Sequence, residues 1–255
     1  MILSCLLLTY WPAANALAAL SHRFWAGLGL TLGFALLARA LRAVDNGGAV
    51  AGVVVTWILF LSAGPGAFAA VAAVFVLAFL TTRLGYRRKQ FLGTAERSGG
   101  RTASQVLANL GVAALCGVLS LLAGPPDLWL LPLSAALAEA AADTVSSEYG
   151  QASGDTAYLI TTWEMVPAGT DGGISLRGTM AGIAAAILLS LACVAAGLIG
   201  RRWLVLPIAA GILGMFADSY LGAWLERRRH LGNDQVNFLS TLVAALLALL
   251  LARFI

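Results

Sequence analysis

Residues 178–198 read GTMAGIAAAILLSLACVAAGL, a run without a single charge. As a helix rising 1.5 Å per residue, it covers about the 30 Å of a bilayer's hydrocarbon core. Similar runs recur throughout the 255 residues, of which 60% are hydrophobic and 11% charged, with a mean hydropathy of +0.87. No soluble fold has enough interior to hide that much apolar surface. The chain therefore reads as one transmembrane domain over 1–255, an all-α integral membrane bundle of eight or nine helices. The expected spans are 1–20, 24–39, 48–62, 65–82, 104–122, 128–145, 178–198, 203–224 and 238–254. Ser62–Pro65 and the Pro12 region are the joints where a tight hairpin or a broken helix merges or divides segments. The apolar start at Ile2 lacks the charged leader of a signal peptide, so 1–20 reads as a retained first helix.

Charge orients this bundle. The net charge of +4 does not mark a nucleic-acid surface, because the basic residues sit in short loops and form no continuous face. Alternate loops hold Arg39, Arg42, Arg83, Arg87, Arg88, Lys89, Arg97, Arg101, Arg177 and Arg227 to Arg229. The opposite side holds only Arg23, Arg201, Arg202 and Arg253. That asymmetry makes the first side cytoplasmic, with its three long loops at about 83–103, 146–177 and 225–237. A multi-pass protein of a prokaryotic inner membrane with a cytoplasmic site is the expectation. Cys5, Cys116 and Cys193 lie singly in apolar segments and read as packing residues.

Acidic residues are rare, yet Glu139, Asp143 and Glu148 fall together at the cytoplasmic end of one span. The four-residue spacing of Glu139 and Asp143 puts both carboxylates on one helix face. Asp218 approaches the same end from another span. Clustered carboxylates in low dielectric need cations, protons or Arg partners, and a divalent metal satisfies them; the alternative is salt bridges to Arg or bonds to Ser and Thr that serve helix packing alone. In Val166-Pro-Ala-Gly169-Thr170-Asp171-Gly172-Gly173-Ile-Ser175, running into Arg177-Gly178-Thr179, the glycines let backbone N–H groups converge before a helix start, which suits phosphate. Arg101, Gln105 and Asn109, four residues apart, line one helical face descending into the membrane. Arg87, Arg88 and Lys89 read as lipid-headgroup contacts. Asn233, Asp234 and Asn237 precede the last span and also suit helix caps.

Together these motifs resemble the membrane family of transmembrane protein 19 and the phytyl-phosphate kinases of tocopherol and phylloquinone synthesis. The resemblance rests on Arg101 to Asn109, Ala142 to Gly150, Pro167 to Ser175 with Gly178-Thr179, Asp218 to Ala223, and Asn233 to Phe238. It implies Mg²⁺-assisted transfer of a phosphoryl group from CTP or another nucleoside triphosphate to an isoprenyl monophosphate. Asp143, Glu148, Asp171 and Asp218 would then be the catalytic metal-phosphate acids, supported by Glu139. Arg101 and Arg177 would neutralise phosphate, and Asn109, Gly169, Thr170, Gly172, Gly173, Ser175, Thr179, Asn233 and Asn237 would be polar contacts to substrate or nucleotide. No P-loop or protein-kinase signature is present, so any nucleotide site is of another type. A transporter and a CDP-lipid-type nucleotidyltransferase remain the alternatives.

Overall fold

The computed structural model describes residues 23–123 and 125–254. The expected span 1–20 therefore lies outside the described residues, apart from which the chain is mainly helical. Its helices are α1 (residues 23–40), α2 (Asn46–Arg83), α3 (Tyr86–Leu92), α4 (Ala103–Leu122), α5 (Pro126–Ser153), α6 (Leu176–Ala195), α7 (Val205–Leu221) and α8 (Asn233–Leu251). The sequence itself sets several of their ends. The Asp45 side chain accepts from Gly48 N at 2.7 Å and starts α2; Thr102 and Gln105 form a reciprocal capping box at α4; and Gly154, in the left-handed region, stops α5.

Among the described residues, six helices are long and apolar enough to cross a membrane. That number is smaller than the eight or nine expected from hydropathy, and part of the difference lies in α2. Its 38 residues would extend about 57 Å if straight. Yet Arg83, its last residue, donates to the Leu41 carbonyl at 2.6 Å, beside the other end of the helix. Gly64, at φ 77°, lets the chain turn back on itself ahead of Pro65, so the two arms run antiparallel as the expected segments 48–62 and 65–82. The bend sits against Arg23 and the Ala196–Leu198 turn. Both ends of α2 lie at the opposite, Arg-rich end of the bundle.

The bundle is built around α5, which packs against α2, α4, α6, α7 and α8. It is the least apolar of the six spanning helices and the most buried, so its acids face protein rather than lipid. Alanines and glycines let its neighbours approach closely. A Cβ at Gly211 of α7 would lie 2.9 Å from Ala138, and one at Gly214 would lie 2.5 Å from Glu139 Cγ. Leu133, Ala136 and Leu137 meet Leu189 and Ala210 in the common core.

The all-α reading needs one correction, because a three-stranded antiparallel sheet of order β2-β1-β3 follows α5. Its strands are β1 (Ala157–Leu159), β2 (Met165–Val166) and β3 (Gly173–Ile174), with Tyr158 paired to both Met165 and Ile174. Loop boundaries shift as well. Helix α5 runs on to Ser153, eight residues past the expected end at 145; α3 occupies part of 83–103; and α8 begins at Asn233, shortening the last loop. All three segments gather at one end of the bundle, where they line shared cavities.

Single cysteines placed at the exposed positions Ser98 and Thr162 should react with an impermeant thiol reagent from the same side of the membrane. Labelling of intact cells is expected only after the inner face is opened. Reaction from opposite sides would separate the loops that the fold joins.

Candidate functional site

Two polar cavities meet at the Arg-rich end. The larger, about 340 Å³, is lined by Arg97, Arg101, Asn109, Glu148 and Asn237 among others, and the smaller, about 180 Å³, by Asp171, Asp218 and the 168–175 turn. Asp143, Ser147 and Asn233 line both and mark their junction. Asp143 comes from α5 and Asp218 from α7, and both carboxyl groups line the smaller cavity. Ser240 of α8 donates to Asp218 Oδ2 at 3.1 Å and so fixes that carboxylate.

Arg101 is held by its backbone: its N–H donates to the Ala43 carbonyl at 2.9 Å, and its own carbonyl accepts from Asp45 at 3.0 Å. Its guanidinium makes no ion pair or hydrogen bond among the described residues. A cation fixed at its root and free at its tip is suited to an anionic ligand. Asn109 is buried and donates to the Gln105 carbonyl at 2.9 Å, leaving its amide oxygen directed at no protein donor among the described residues. Gln105 is spent on structure, bonding Thr102 N and Glu96.

The turn after β2 closes through Thr170 N and Oγ1 donating to the Pro167 carbonyl and Gly173 N donating to Thr170. Gly172 at φ 75° lies so close to the end of α7 that an added Cβ would stand 2.5 Å from Ala223. Gly169, Thr170, Gly172, Gly173 and Ser175 therefore form one wall of the smaller cavity. Partial burial raises the Asp171 carboxyl above its ordinary range, with Arg227 opposing the shift.

The start of α6 differs from the phosphate cradle expected there. Ser175 Oγ accepts from Gly178 N at 3.2 Å and Asp155 Oδ2 accepts from Arg177 N at 3.0 Å, so protein oxygens already occupy these donors. Arg177 is exposed, and neither it nor Thr179 lines the two cavities.

Glu148 has a second task. Lys89, fully buried, donates to Glu148 Oε2 at 2.5 Å and to the carbonyls of Thr81 and Thr82, while Thr82 Oγ1 donates to Glu148 Oε1 at 3.0 Å. The headgroup reading of Lys89 is thus overturned, because its ammonium satisfies the end of α2 inside the protein. Glu139 lies one turn deeper than Asp143, is 1% exposed, and has an unpartnered Oε1. Among the described residues no three acids, His or Cys converge as a metal cage. The adjacent oxygen donors of Asp143 and Asp218 do suit Mg²⁺, which binds through one or two carboxylates together with water and substrate phosphate.

Sequence reasoning missed Glu226, Ser146, Ser147, Gln151 and Ser219, all lining the smaller cavity. The four-residue steps Asp143-Ser147-Gln151 and Asp218-Gly222-Glu226 carried the signal.

A third cavity of about 490 Å³ is mainly apolar, lined by Phe34, Ala38, Gly52, Phe75 and Phe79 among others. It shares Glu96, Arg97, Arg101, Gln105 and Asn109 with the larger polar cavity. An apolar cleft thus opens at its charged end into the acidic site.

The family model described as integral membrane protein DUF92 matches residues 29–245. An uncharacterised membrane protein of Methanocaldococcus jannaschii is 34% identical over 218 residues, covering 85% of this chain and 89% of the relative. One from Synechocystis is 34% identical over 197 residues, covering 75% of this chain and 76% of the relative. The protein VTE6, chloroplastic, of Arabidopsis thaliana is 32% identical over 232 residues, covering 88% of this chain and 69% of the relative. No solved structure matches.

Proposed function

The chain belongs to the integral membrane protein DUF92 family, and from that footing we propose that it is a prenyl-phosphate kinase. It takes the γ-phosphoryl group of CTP or a related triphosphate and transfers it to an isoprenyl monophosphate at the cytoplasmic face. A bond forms between the acceptor phosphate oxygen and Pγ, and the bond from Pγ to the bridging oxygen breaks. The electron pair leaves with the nucleoside diphosphate, and the lipid product is a prenyl diphosphate.

The observation carrying this reading is the continuity of the apolar cleft with the acidic cavity at Arg101 and Asn109. A ligand filling both must be amphipathic, with an apolar tail and an anionic head, as an isoprenyl phosphate is. The resemblance of the site motifs to phytyl-phosphate kinases gives the same acceptor. A phosphate monoester is already nucleophilic at neutral pH, so positioning and charge neutralisation are the main requirements. Arg101 meets the acceptor phosphate, and the second N–H of Asn109 Nδ2, the one not bonded to Gln105, donates to the same head. The 167–173 turn borders the donor phosphates, while Asp143 and Asp218 hold Mg²⁺. When bound, that ion supplies neutralisation of charge on the transferring phosphates. Glu148 stays with Lys89 and acts through the position of α5, and Arg177 and Thr179 remain outside the reacting centre.

Arg101→Gln should lower kcat/KM for the lipid phosphate by about ten-fold or more, the scale of one lost charge-assisted contact of roughly 1.5–3 kcal/mol. Arg87→Gln, which removes the same charge from an exposed position, should change it little at fixed ionic strength. Equal small losses in both variants would remove Arg101 from the site.

A further inference from the structure

Resting on that reading, we infer that the cleft between α1, the two arms of α2 and α4 binds the isoprenoid tail, and that Gly52 determines how long a tail is accepted. The cleft's volume of about 490 Å³ falls within the range of about 300–1,000 Å³ typical of small-molecule sites. Small and aromatic side chains share its walls: Ala35, Ala38, Ala49 and Ala78 leave room, while Phe34, Phe75 and Phe79 supply aromatic surface, with Phe34 and Phe75 edge to face at 5.0 Å. Arg83 lies over the Phe79 ring at 4.2 Å, at the end where Arg42, Arg97 and Arg101 also line the space. The charge is therefore confined to one end. An anionic head at Arg101 with a branched hydrocarbon tail along the phenylalanines satisfies both parts, whereas an ordinary two-chain lipid would need room for a second chain.

Gly52 is singled out by what surrounds it. An added Cβ there meets nothing within 4 Å, although the residue lines the cleft. One turn earlier, Gly48 serves a different purpose: a Cβ would fall 2.2 Å from the Arg101 carbonyl, so its smallness is needed for helix packing. Space beside Gly48 is filled by backbone, and space beside Gly52 is left for a ligand. A glycine in a helix interior costs roughly 0.5–1 kcal/mol relative to Ala, so enlarging Gly52 should not endanger folding.

The test uses the full-length protein in nanodiscs, with Gly52→Phe compared against Gly33→Phe. Gly33 also has open space around a Cβ but does not line the cleft. Turnover is measured with dimethylallyl, geranylgeranyl and phytyl phosphates. Gly52 lies one helical turn, about 6 Å, beyond Gly48 at the charged end, so Gly52→Phe is expected to lower kcat/KM for the two longer acceptors about ten-fold or more, to leave the five-carbon dimethylallyl phosphate within about two-fold, and to leave the nucleotide KM unchanged. Gly33→Phe is expected to preserve the wild-type length profile. A second readout needs no turnover: a geranylgeranyl phosphate with a diazirine at the tail end is crosslinked and its attachment mapped. Labelling of residues 34–38 and 71–79, weakened by Gly52→Phe, supports the assignment. An unchanged length profile in Gly52→Phe, or labelling confined to lipid-facing residues such as Leu36 and Val54, overturns it. Loss of turnover in wild type with intact cleft labelling would reject the kinase reaction while keeping the tail site.

Discussion

Asp143→Asn and Asp218→Asn are each expected to lower kcat by about 10²–10³-fold, the scale seen when one preorganised electrostatic element is removed from a reacting centre. The two acids come from different helices, line the smaller cavity together, and offer only oxygen donors. Asparagine keeps their shape and removes one charge, so the effect isolates electrostatics from packing. Thermal stability in detergent should hold or rise, because replacing one of two adjacent carboxylates relieves repulsion between them. Mg²⁺ dependence provides an independent readout, since both variants should need more of the ion for half-maximal rate. Wild-type turnover in either variant would return that acid to a packing role.

The other large effect is structural. Lys89→Met should destabilise the protein by about 3–5 kcal/mol, the penalty for removing one partner of a buried ion pair. Lys89 is fully buried, and its ammonium satisfies Glu148 and two carbonyls at the end of α2. With methionine there, all three acceptors lose their shared donor. Adding Glu148→Gln should recover part of the loss, because the uncompensated charge disappears with it; the double-mutant cycle measures that coupling. Thermal inactivation in a mild detergent reads the order wild type, double variant, Lys89→Met. If Lys89→Met is as stable as wild type, its ammonium is not holding α2 to α5.

The membrane-spanning segments were legible because bilayer thickness imposes a length on apolar runs, as in 178–198. The bend at Gly64 was legible because Pro65 interrupts an apolar run too long for one crossing. The acids of α5 and α7 stood out for their rarity in such company. Helix ends were less clear: hydropathy reports where hydrocarbon stops, whereas α5 continues beyond it until Gly154 offers a left-handed stop. The small sheet was missed because strands of two or three residues have too few positions to show a period. Lys89 and Glu148 are 59 residues apart, so their pairing is a product of packing that local charge patterns do not reveal. The use of Asp155 to cap α6 is another long-range choice, and it explains why a glycine-rich turn before a helix did not leave that helix end open. Glu226 was missed, and it is the π-helical turn Gly222–Glu226 that brings it to the cavity lined by Asp218.

The measurement bearing most directly on the proposed function is product analysis with purified protein, Mg²⁺, CTP labelled at the γ-phosphate, and phytyl or geranylgeranyl phosphate. Mass spectrometry and label tracking should be applied to the lipid and nucleotide products together. A prenyl-phosphate kinase gives a prenyl diphosphate carrying the label, with CDP formed in equal amount. Label released as pyrophosphate, with CMP attached to the lipid, would contradict phosphoryl transfer and establish cytidylyl transfer. Saturable movement of lipid phosphate across proteoliposomes with no nucleotide consumed would instead establish a transporter.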